Sequence, residues 1–99
     1  MATMPPCYIV GDVEVTNPER YKDYVAANKA AFDKFRGKFL ARGGAYEVVK
    51  GTSRERHVII EFPSFAAAKD CFFSDEYRAA LAIFKTCAES DVVIVEGVS

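Results

Sequence analysis

The sequence predicts an α+β fold of the ferredoxin-like kind, βαββαβ, with a four-stranded antiparallel sheet carrying its helices on one face. Three observations predict it. Residues Cys7 to Val15 and His57 to Phe62 alternate with the period of two that marks strands, whereas Tyr21 to Phe35 repeats with the helical period. Capping signals separate these segments in the order strand, helix, strand, strand, helix, strand. Right-handed crossovers between parallel strands then place both helical regions on the same side, which leaves the opposite face to water or to a second copy.

The first strand, Cys7 to Val15, sets Ile9, Gly11, Val13 and Val15 against Tyr8, Val10, Asp12 and Glu14. Thr16-Asn17-Pro18-Glu19 follows, an N-cap candidate with a proline for the first turn and a carboxylate suited to the helix dipole. The helix it opens carries the stripe Tyr21, Tyr24, Val25, Asn28, Phe32 and Phe35, with Asn28 the polar exception, and Gly37 closes it. Lys38 to Arg42 form a second strand. Gly43-Gly44 suggests a kink or bulge there, after which Tyr46-Glu47-Val48-Val49 resumes extended structure. Lys50 to Glu55 is polar enough for a hairpin loop, and the third strand, His57 to Phe62, points Val58, Ile60 and Phe62 one way and His57, Ile59 and Glu61 the other. Pro63 stops it. Ser64 caps a helix with Phe65, Ala68, Cys71 and Phe72 inward, and Ser74-Asp75-Glu76 caps a further segment with Tyr77, Ala80, Leu81 and Phe84 inward. The last strand runs from Asp91 to Val95 or a little beyond.

Ninety-nine residues suit a single domain, 1–99, with its core in about 7–98. A domain of this size leaves much surface uncovered, so a face bearing Tyr8, Val10, Leu40 and Ile59 is expected to pair with a second copy as a homodimer. A net charge of −1 with scattered Lys and Arg argues against a nucleic-acid partner. The absence of a long apolar run argues against the membrane, and Met1 to Pro6 does not read as a signal peptide. Cys7, Cys71 and Cys87 are an odd, scattered set, expected to be reduced, buried thiols of a cytoplasmic protein. With His57 the lone histidine, neither a structural metal site nor a cofactor is expected, although a carboxylate site for a hard cation stays open.

Four stretches, Phe39-Leu40-Ala41-Arg42-Gly43-Gly44, Val58-Ile59-Ile60-Glu61-Phe62-Pro63-Ser64, Ser74-Asp75-Glu76-Tyr77 and Val93-Ile94-Val95-Glu96-Gly97, together resemble the bacterial family known as domain of unknown function 1330. The likeness runs from about Tyr8 to Val98. It implies a dimeric α+β barrel, a superfamily whose members include cofactor-free monooxygenases of aromatic polyketides, haem-degrading enzymes and muconolactone isomerases. It implies no single reaction. The tryptophan that the family pattern places near the loop before the third strand has no counterpart in this chain.

Two groups of residues invite chemistry. Asp12, Arg42, His57 and Glu61 fall on the face opposite the helices if alternation holds, where a carboxylate beside Arg or His could act as a general base. The commoner role of such a cluster is an interface salt-bridge network. Beneath the helices, Asn28, Tyr24 and Tyr77, with Tyr21, could turn polar tips toward a substrate; a hydrogen-bonded core Asn and core tyrosines are the plainer alternative. Gly43-Gly44 reads as architectural and the serines as caps. Two functions follow: a cofactor-independent oxygenase or isomerase acting on a small organic molecule, or a non-catalytic dimeric binding or interaction module.

Overall fold

The computed structural model describes residues 4–98. The reading of the Met1–Pro6 segment therefore lies partly outside the described residues. The elements are β1 (Cys7–Val15), α1 (Pro18–Lys34), β2 (Lys38–Arg42), β3 (Arg56–Phe62), α2 (Phe65–Phe72), α3 (Asp75–Phe84) and β4 (Ala88–Glu96). They build one antiparallel sheet of order β2-β3-β1-β4 with the helices on a single face, the ferredoxin-like arrangement. No helix of the described residues is long and apolar enough to cross a membrane.

The helices begin where the capping chemistry places them. Asn17 accepts from the Arg20 amide at 3.2 Å with Pro18 in the first turn, Ser64 accepts from Ala67 at 3.1 Å, and Ser74 accepts from Tyr77 at 3.1 Å. At the end of α1 the left-handed residue is Arg36 (φ 63°) rather than Gly37, whose amide donates to the Phe32 carbonyl at 2.8 Å. Gly37 serves a different need. A Cβ there would sit 2.9 Å from Phe62 and 3.2 Å from Ile60, so the glycine lets the chain enter β2 hard against the core.

That core lies between the sheet and the helices: Ile9, Val13, Ile60 and Phe62 from the strands meet Tyr24, Ala31, Phe32, Ala68, Cys71, Tyr77, Ala80 and Phe84. Aromatic rings form much of it, with Phe32 in tilted or edge contact with Phe39, Phe62 and Tyr77. Phe65, expected to point inward, is half exposed on the first turn of α2, where the Lys69 ammonium sits 5.5 Å from its ring centre. The fourth strand is longer than Asp91–Val95 at both ends, because β1 offers it nine residues of continuous pairing.

The largest departure from the expected layout is in β2. Its irregularity lies at Leu40 and not at Gly43-Gly44: Phe39 pairs with Ile60 and Ala41 with Ile59, so Leu40 is the extra residue of a bulge. A bulge shifts the alternation by one, and Arg42, now opposite Val58, joins the helix side of the sheet rather than the open side. Tyr46 to Val49 form no strand either. They belong to an irregular excursion from Gly43 to Glu55 that adds no strand to the sheet beyond the bond from the Gly43 amide to the His57 carbonyl, and Tyr46, Val48 and Val49 are exposed.

Candidate functional site: a pocket beneath the helices

Between the helix face of the sheet and helices α1 and α3 lies a cavity of about 60 Å³. This is room for roughly four or five waters. Its walls are apolar and aromatic, including Ile9, Val13, Phe32, Phe39, Ile60 and Phe84. All three residues expected beneath the helices, Tyr24, Asn28 and Tyr77, line it, as does Tyr21.

The helical period produces this convergence. Tyr21, Tyr24, Val25 and Asn28 recur at i, i+3, i+4 and i+7 along α1 and so share the face turned to the sheet. Asn28 is buried, the polar exception in an otherwise apolar core. Across the cavity the Tyr24 and Tyr77 hydroxyls meet at 2.9 Å. Burial pushes both phenols above their ordinary value; Tyr24 is drawn back by hydrogen bonding to Tyr77 and Asn28, whereas Tyr77 is pushed further by its neighbour Tyr24. Both therefore stay protonated at neutral pH. One O–H is spent on the other oxygen, which leaves one proton between the pair to donate elsewhere.

One wall of the pocket carries two guanidinium groups, Arg42 from the bulged end of β2 and Arg56 from the start of β3. Arg42 lies over the Phe39 ring at 4.6 Å from its centre, and Arg56 over Tyr21 at 5.6 Å. The Arg56 guanidinium also lies in the space a side chain would take at Gly43, whose φ of 71° favours glycine. Arg56 escaped the sequence reading. Extending the alternation of β3 one residue back from His57 puts Arg56 with Val58 and Ile60, and that signal would have found it.

The open face gathers only part of the expected constellation. Asp12 and His57 are direct cross-strand partners, with Asp91 on the other side of Asp12. Asp12 accepts from the Arg54 amide at 3.2 Å, and the Arg54 guanidinium reaches Asp12, Glu89 and Asp91 at 3.8, 3.9 and 3.4 Å. One arginine from the 43–55 excursion thus bridges three carboxylates on β1 and β4. The His57 ring lies 4.6 Å from Tyr46, and its Nε2 is 2.9 Å from Ser53 Oγ. The Ser53 hydroxyl also lies 2.8 Å from the Arg54 carbonyl, so its one proton is shared between two acceptors; among the described residues the buried Nδ1 has no partner. Glu61 stands four residues along β3 from His57, about 13 Å away, opposite Tyr8 and Lys38. Arg42 is on the other side of the sheet altogether, for the reason given by the bulge.

Cys7, Cys71 and Cys87 are free and buried. Burial raises all three thiols, Cys71 to about 12 with help from the Glu76 charge, so none is a thiolate at neutral pH. Among the described residues, no three His, Cys, Asp or Glu side chains gather to hold a metal ion.

Residues 6–98 match the family described as domain of unknown function (DUF1330). The chain belongs to that family. No curated protein sequence matches this DUF1330 protein significantly, but solved structures do. A protein of unknown function from Rhodopseudomonas palustris superposes with a TM-score of 0.77 at 18% identity, over 96% of this chain and 84% of that one. SnoaB, a cofactor-independent oxygenase from Streptomyces nogalater, gives 0.67 at 14% identity over 96% and 95%. A dimeric protein of unknown function with a ferredoxin-like fold from Bacteroides fragilis gives 0.57 at 14% identity over 97% and 100%. At these identities the DUF1330 protein shares a fold with each.

Proposed function

We propose that this single-domain chain works as a cytoplasmic homodimer in which each protomer holds one small, largely apolar organic molecule in the pocket beneath α1 and α3. The observation that carries the reading is the pocket itself: an aromatic cavity into which α1 directs a buried asparagine and a hydroxyl pair with a proton to spare. Its likeness in fold to a cofactor-independent oxygenase adds the finer reading, an oxygenase or isomerase that needs no bound cofactor. In such chemistry Tyr24, Tyr77 and Asn28 would stabilise negative charge developing on a substrate oxygen.

A second reading, a non-catalytic binding module, is favoured by a specific feature. Among the described residues the pocket wall contains no carboxylate and no imidazole, so a general base is wanting there. Asp12, His57 and Glu61 are on the opposite face, where a role in the dimer interface suits them better than catalysis.

Support for pairing comes from the open face, where Val10, Leu40, Val93 and Val95 are 38–59% exposed beside Tyr8 and Ile59. A second copy laid sheet to sheet would cover them and close a barrel; the dimeric B. fragilis structure has the same fold. The three unpaired thiols suit a reducing compartment.

A thermal-shift screen of the full chain against a broad metabolite library tests ligand binding, since a ligand of the folded state raises its melting temperature. A flat screen overturns the reading. For a hit, incubation under air followed by mass spectrometry separates the two functions: a converted compound supports the enzyme, an unchanged one the binding module.

A further inference from the structure

The pocket wall holds two positive charges that the protein itself does not neutralise. Neither Arg42 nor Arg56 takes part in the ion pairs formed among the described residues. Arg56 Nε is buried without a hydrogen-bond partner. The pairing register explains why the two are close. Arg42 is opposite Val58, and Arg56 is two residues before Val58 on the same face, which makes the arginines diagonal neighbours about 7–8 Å apart at the backbone, within mutual reach of long side chains. Like charges so placed repel, and a buried, unpartnered guanidinium N–H is costly. An anion between them would relieve both penalties, because a guanidinium presents a planar fork that matches a carboxylate.

We propose that Arg42 and Arg56 are the anion-binding end of the pocket, and that the molecule it takes is a single-ring aromatic carboxylate. The inference rests on the pocket reading above and names its ligand class. The rest of the cavity fits that class. Beyond the guanidiniums, Tyr21, Phe32, Phe39 and Phe84 offer ring faces and edges to a flat molecule, and the Tyr24–Tyr77 pair with Asn28 offers polar tips for a second oxygen away from the carboxylate. Gly43 borders the same site, with the Arg56 guanidinium lying against it on its way over Tyr21.

The test uses the full chain and isothermal titration calorimetry with benzoate, 4-hydroxybenzoate and cinnamate, each compared with its methyl ester. At least one acid is expected to bind roughly tenfold or more tightly than its ester, the worth of a charge-assisted hydrogen bond, and to weaken as salt is raised. Arg42→Gln, a change at an exposed strand end, is expected to keep the melting temperature and to bring the acid down to the affinity of its ester; Arg56→Lys, which keeps the charge and loses the fork, is expected to fall between. Acids and esters binding equally well would overturn the anion end while leaving the pocket reading intact. Binding by neither series, together with a flat metabolite screen, would overturn both. An acid preference that Arg42→Gln and Arg56→Lys leave unchanged would assign the anion to other residues and likewise sink the proposal.

Discussion

The two faces of one sheet have different fates. On the helix side Ile9, Val13, Ile60 and Phe62 are 7% exposed or less, while Val10, Val93 and Val95, neighbours along the same or adjoining strands, are 38–59% exposed. Both rows are apolar, so hydrophobicity does not separate them; what separates them is whether the chain supplies its own cover. The helix side receives α1, α2 and α3 and keeps a cavity of about 60 Å³ beneath α1 and α3. On the other side, residues of the 43–55 excursion reach the polar end, at Asp12, His57, Glu89 and Asp91, and the apolar end stays exposed.

The contrast breaks most sharply at Phe62. Phe62→Ala should cost about 3–5 kcal/mol, measured by urea unfolding, because its ring is enclosed by the core and the neighbours around Gly37 cannot collapse into the space. On the open face, Val10→Asp should leave the protomer folded, with a loss of about 1 kcal/mol or less, and should abolish the dimer, because pairing would bury an unpartnered charge. Sedimentation velocity reads this directly. A folded, dimeric Val10→Asp protein would show that the face is not the interface.

Smaller changes sharpen the comparison on the helix side. Tyr77→Phe should cost about 1–2 kcal/mol by leaving the Tyr24 hydroxyl short of a partner. It should also blunt the alkaline instability of the fold. Both phenols have folded values above the ordinary 10.0, so their contribution is complete below pH 10.0 and is lost as the pH rises toward the folded values, where only the unfolded chain ionises. Urea titrations stepped upward from neutral pH should show a shallower decline for Tyr77→Phe than for the parent.

The smallest effect belongs to the Lys34–Glu76 pair at 2.7 Å, which ties the end of α1 to the start of α3 outside the core. Lys34 holds the Glu76 carboxyl below its ordinary 4.5, so the contribution is present above that value and disappears as the pH falls through the folded one. Glu76→Gln should lower the melting temperature slightly at neutral pH, less at high salt and not at all in acid.

How much of this was legible in the chain depends on the range of the interaction. Asn17, Ser64 and Ser74 announce their helices because a cap acts within three residues, and β1 and β3 announce their faces because alternation is local. Asn28, Tyr24 and Tyr77 were visible as pocket candidates for the same reason, a polar residue or polar tip on a helical stripe. The bulge was not. Gly43-Gly44 drew attention to the wrong place, because Leu40 has no local mark of irregularity and is set aside only by the pairing of its neighbours with β3. Two errors followed from it, the strand assigned to Tyr46–Val49 and the side assigned to Arg42. Arg56 was passed over because the strand was begun one residue late. Phe65 misled because spacing gives a stripe and not the end of a short helix where the stripe leaves the core.

Leu40 decides which side of the sheet Arg42 takes. Deleting that one residue would leave Arg42 opposite Val58 on the helix side, whereas drawing it into a regular ladder would turn over the strand beyond it and carry the Arg42 charge to the open face.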